Sequence, residues 1–121
     1  MVEVISGLAD SIAGFRAKGE VSKKDYTEVV EPEVDELVRR TGKINFLLLL
    51  DTTIGNYTPG AAFKDFLLGL KHLSKWHKMA IVSEQEGVRK FTDFISSVIP
   101  GEARGFSKSQ FEEAQTWLLA E

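Results

Sequence analysis

Hydrophobic residues crowd into one run, Ile44 to Asp51 (Ile-Asn-Phe-Leu-Leu-Leu-Leu-Asp), which closes on a carboxylate and then on Thr52, Thr53 and Gly55. A run that is apolar at both odd and even positions suits a strand buried on both faces, and sheets covered on both faces are mostly parallel. Upstream, the segments from Val2 to Ser6 and from Ser11 to Gly19 are β-prone and joined by Gly7-Leu8-Ala9-Asp10, which predicts an N-terminal antiparallel hairpin. Ile12, Gly14, Arg16 and Lys18 fall on one side of its second strand and Ala13, Phe15 and Ala17 on the other, so one face is wet towards its end.

Between hairpin and central run the period changes. Ser22 and Asp25 have capping-box spacing, and Tyr26, Val29, Val30, Val34, Leu37 and Val38 follow at helical intervals. Pro32 inside that pattern removes a backbone donor and should kink or split the helix near Glu31, and Gly42 closes it. Beyond the run, Pro59 opens a helix whose stripe is Phe63, Phe66, Leu67, Leu70 and Leu73, extending to about Lys75. A short strand over Met79 to Ser83, a helix over Gln85 to Ile99, a strand over Glu102 to Phe106 and a C-terminal helix capped by Ser107 and Gln110 complete the chain. The order β-β-α-β-α-β-α-β-α predicts an α/β fold. Its sheet is mostly parallel, with four or five strands, an N-terminal antiparallel hairpin and about four helices.

Composition narrows the function classes. At 121 residues the chain forms a single domain, residues 1–121, and 43% hydrophobic content suffices for a packed core. A net charge of -3 gives no polyanion-binding bias, so no nucleic-acid partner is expected. Without cysteine there is no disulfide framework, thiolate metal site or cysteine nucleophile. The N-terminus shows no basic segment leading into a long apolar stretch, and the run from Phe46 to Leu50 is far short of a membrane span, so a cytoplasmic location is expected.

In open parallel sheets ligands gather where strands end and helices begin, which selects the loops at Asp51 to Thr58 and at Ser83 to Glu86. Asp51, Thr52, Thr53, Asn56, Tyr57 and Thr58 form a polar cluster ahead of a helix start, where an anion is favoured; the same residues can equally serve as loop and helix caps. No phosphate-loop pattern is present. His72 and His77 lack a spacing that would put two metal ligands on one face, and neither a metal nor a cofactor is expected. Lys64, Lys71, Lys75 and Lys78, near Trp76, form either a flank for anionic lipid or an acidic partner, or simply a solvated face.

Gly19-Glu20-Val21-Ser22 with Asp25-Tyr26, Pro32, Gly69-Leu70-Lys71-His72-Leu73, Ala80-Ile81-Val82-Ser83, Pro100 to Phe106 and Glu113 to Leu118 occur in an order that resembles the SpoIIAA-like family. These small bacterial proteins are related in fold to STAS domains and often described together with CRAL-TRIO lipid-transfer modules. The resemblance covers nearly the whole chain. It implies a non-enzymatic, STAS-like interaction or ligand-sensing module with a regulatory role. Thr58 falls approximately at the position where anti-sigma factor antagonists are phosphorylated, although Tyr57-Thr58-Pro59-Gly60 replaces their Asp-Ser-Ser-Gly type sequence.

The expected function is therefore a non-catalytic module that binds a protein partner or small ligand through Asp51, Thr52, Thr53, Tyr57, Thr58, Phe63 and Ser83. One alternative is a carrier or sensor of a lipid or small hydrophobic ligand, with Phe63, Phe66 and Leu67 as walls and peripheral membrane contact through the basic flank. Another is a small hydrolase or isomerase using His72 with Asp51 or Glu84. A homodimer is also admitted, since Leu68, Trp76 and Trp117 would be better covered than exposed.

Overall fold

The leucine-rich run is the middle strand of the sheet. A computed structural model describes residues 1–18, 23–51, 73–83, 92–93, 96 and 100–120. Its strands are β1 (Val2–Val4), β2 (Ala13–Lys18), β3 (Ile44–Asp51), β4 (Trp76–Val82) and β5 (Glu102–Phe106). They lie side by side in chain order, β1 antiparallel to β2 and every later pair parallel. The expected hairpin and parallel sheet are therefore both present.

Alternation along β3 divides its side chains between two cores. Ile44, Phe46, Leu48 and Leu50 pack with Phe15, Ala17, Met79 and Ile81, and the Phe46 ring lies between Phe15 and Trp76 at centroid distances of 5.0 and 5.3 Å. Leu47 and Leu49 pack on the other face with Ala80, Val82 and Phe106. The first core is covered by a helical stretch between β2 and β3, the second by the C-terminal helix. Fully burying each such Leu or Phe contributes roughly 1.5–3 kcal/mol, which makes β3 the strand least able to tolerate a polar change.

The first cover begins as one turn, α1 (Lys23–Asp25), widens into a π-helical stretch Tyr26–Val30, and continues as α2 (Glu31–Thr41). Pro32 stands in the first turn of α2. In an uninterrupted α-helix its ring would clash with the carbonyl four residues back, and the wider π turn ahead of it gives the chain room. The split near Glu31 expected from Pro32 thus takes the form of a change of helix type. Tyr26, Val30, Val34 and Leu37 face the sheet, and Gly42, at φ +79°, ends α2 in the left-handed conformation while its N–H donates to the Val38 carbonyl. On the other face α3 (Phe111–Leu119) buries Ala114 and Leu118.

Several boundaries differ from expectation. Trp76, His77 and Lys78 belong to β4, which begins three residues before Met79, and Leu73–Lys75, where the expected helix runs out, is a 3-10 turn. Pairing with β3 extends the strand past the polar residues that masked it in the sequence, with a register shift at Ile44/Asn45. Trp76, expected on the surface, is only 5% exposed. Of the about four helices expected, α2 and α3 are described. Thr92, Asp93 and Ser96 are helical within the one expected over 85–99, and the rest of that segment and the helix expected from Pro59 lie outside the described residues, apart from the 3-10 turn. No helix among the described residues is long and apolar enough to cross a membrane.

Candidate functional site

Parallel β2 and β3 deliver their C-terminal ends to the same edge of the sheet. Their register sets Arg16 opposite Leu49 and Lys18 opposite Asp51, so Arg16 and Asp51 are diagonal neighbours on the face that α3 covers. Arg16 Nε donates to Asp51 Oδ2 at 3.0 Å and Arg16 Nη2 donates to the same oxygen. Lys108 Nζ donates to Asp51 Oδ1 at 2.9 Å. Lys108 starts the 3-10 turn Lys108–Gln110 directly after β5, and a reciprocal capping box between Ser107 and Gln110 fixes that turn. One carboxylate therefore ties β2, β3 and the segment after β5 together.

These contacts set its chemistry. The Lys108 hydrogen bond, then the Arg16 hydrogen bond and the charge of Lys108, hold the Asp51 carboxyl down at about 2, against an ordinary 3.8. The side chain is 28% exposed, at the rim rather than in the core. An acid this strong is a poor proton acceptor at neutral pH and is suited to an ionic anchor instead. Both carboxylate oxygens are thus taken up, one by Arg16 and the other by Lys108.

Asp51 thus stands at a strand end, as expected. Ser83 follows β4 on the same edge but is buried, and its N–H donates to the Phe106 carbonyl at 2.9 Å, holding β4 to β5. Thr52, Thr53, Tyr57, Thr58 and Phe63 lie outside the described residues, as do His72, Glu84 and Glu86. Sequence reasoning missed Arg16 and Lys108 as the partners of Asp51, 35 and 57 residues away. Arg16 did stand on the wet side of β2, but the register that brings it to Asp51 has no local signature.

The basic flank is also corrected. Lys64 and Lys71 lie outside the described residues and Lys75 is exposed, but Lys78 is only 6% exposed. Its Nζ donates to the Trp117 and Ala120 carbonyls at 2.8 and 2.6 Å and sits 5.0 Å from the Trp117 ring, so it caps the C-terminus of α3. On the same strand His77 Nδ1 lies 2.8 Å from Oδ1 of the buried Asn45; with that oxygen accepting, the ring proton sits on Nδ1. Among the described residues no three His, Asp or Glu side chains converge as a metal site requires.

The SpoIIAA-like family model matches residues 12–119, from the start of β2 to the end of α3. The chain belongs to the SpoIIAA-like family. The same fold is found in a crystal structure of an uncharacterized DUF3478-family protein with a SpoIIAA-like fold from Shewanella loihica. It is 23% identical, with a TM-score of 0.67 over 98% of this chain and 92% of that one. No curated protein matches the chain. The Arg16–Asp51–Lys108 clasp lies entirely within the span of the SpoIIAA-like match.

Proposed function

We propose that this SpoIIAA-like chain is a non-catalytic, STAS-like regulatory module that binds a protein partner or small ligand at the C-terminal edge of its sheet. The carrying observation is the Arg16–Asp51–Lys108 clasp, which fixes three charges from distant parts of the chain on one rim. Its carboxylate is already engaged by two cations and too acidic to take up a proton near neutrality, which supports recognition over acid–base chemistry. Thr58, seven positions beyond Asp51 in the chain, is the proposed modification point; a phosphoryl group there would add about -1.5 to -2 charge.

Affinity capture from native cell lysate, comparing the wild type with Asp51→Ala, Lys108→Glu and Thr58→Glu, tests this reading. The rim variants should lose captured partners while keeping the folded circular-dichroism spectrum. An identical set of partners from all four proteins would contradict it.

A further inference from the structure

β5 ends the sheet, and among the described residues it pairs only with β4. The side it turns outward can be worked out. The Phe106 carbonyl accepts from Ser83 N–H on the β4 side, and a residue's N–H and C=O point the same way and alternate along a strand. Phe106, Arg104 and Glu102 therefore direct their main-chain groups to β4, while Ala103 and Gly105 direct theirs away. Gly105 is exposed, and without a side chain that exposure belongs to its backbone. An accessible row of outward donors and acceptors is a template for another strand.

We infer that β5 pairs antiparallel with β5 of a second copy of this chain, about a two-fold axis through Ala103, so that Glu102 of each copy faces Arg104 of the other. Strand chemistry and charge select this register. Ala103 opposite Ala103 brings together residues whose main-chain groups point outward, as a reciprocal hydrogen-bonded pair demands. On either side of it, Glu102 and Arg104 fall in the closer non-hydrogen-bonded pairs, about 4.5 Å between Cα atoms, and the two-fold makes that ion pair twice. Both side chains are exposed, and neither joins an ion pair among the described residues. An axis through Arg104 would oppose Arg104 to itself, and one through Gly105 would set Arg104 against Phe106. β1, the other edge, has only three residues and offers a shorter ladder.

Sedimentation equilibrium of the wild type, Arg104→Glu, Glu102→Arg and the double swap E102R/R104E decides the matter, with thermal unfolding of each as a control for folding. The wild type should dimerise, each single reversal should weaken the dimer about tenfold or more, and the swap should return it to within about threefold of wild type. Because Lys78 neighbours Glu102 across the strands, R104E alone carries the test if E102R proves unstable. A monomeric wild type would overturn the inference and hand the edge to a strand of another protein. A dimer indifferent to R104E, or a folded swap that stays dissociated, would overturn it equally. Loss of lysate partners by Asp51→Ala leaves this outcome unaffected, so the two readings fail separately.

Discussion

Replacing Lys78 by Met removes a buried ammonium while keeping its aliphatic stem, which isolates the polar contribution from packing. Two bonds vanish, to the Trp117 and Ala120 carbonyls, and the negative end of the α3 dipole loses its counter-charge. Hydrogen bonds to charged groups contribute roughly 1.5–3 kcal/mol each, and relief of the lysine's own desolvation returns part of that, so a net loss of about 2–4 kcal/mol is expected. For a domain of this size that lowers the thermal midpoint by roughly 6–20 °C. Circular dichroism at 222 nm during heating measures the shift, and amide exchange should accelerate first in the last turn of α3, around Thr116 to Leu118. A midpoint within about 2 °C of wild type would refute a net stabilising role for the cap, since relief of the lysine's desolvation would then offset both bonds.

Leu47→Ala empties a fully buried position between β3 and α3 and should destabilise by about 2–5 kcal/mol in urea unfolding; a change below about 1 kcal/mol would contradict the double-sided burial of β3. Gly101→Ala should also destabilise, because a Cβ there would lie 2.5 Å from the His77 carbonyl oxygen, a backbone atom that cannot move aside, and a variant as stable as wild type would show that β5 enters the sheet less closely. The acid dependence of stability should contain a part that Asp51→Asn removes. Asp51 is held at about 2 in the folded chain, so its contribution is full above the unfolded value near 3.8 and is lost as pH falls towards 2; wild type and variant with parallel pH profiles across that window would refute it.

Much of the architecture was legible because β3 is apolar at consecutive positions, which only a strand covered on both faces requires, and because Pro32, Gly42 and the Ser107–Gln110 box punctuate their elements locally. His77 and Lys78 interrupt the apolar pattern, so the sequence alone marks the start of β4 only at Met79. Their place in the strand rests on Asn45 for the half-buried His77 and on the end of α3 for the buried Lys78, partners 32 to 42 residues away. Position marked Asp51, since the end of a central parallel strand is a place to look whatever the residue. Its partners stayed hidden because Arg16 and Lys108 reach it through sheet register and a turn after β5, neither of which leaves a mark in a single sequence. The same holds for Trp76, which stands among polar residues in the sequence and whose burial against Phe46 depends on the β3–β4 pairing.

The clasp itself is most directly tested by carbon-detected NMR titration of the Asp51 side-chain carboxyl in the folded protein. A midpoint at about 2 is expected, moving up towards the ordinary range in Lys108→Ala, because the Lys108 hydrogen bond is the largest influence holding it down. A midpoint near 3.8 in the wild type, or one that Lys108→Ala leaves in place, would contradict the charged rim on which the proposed binding role stands.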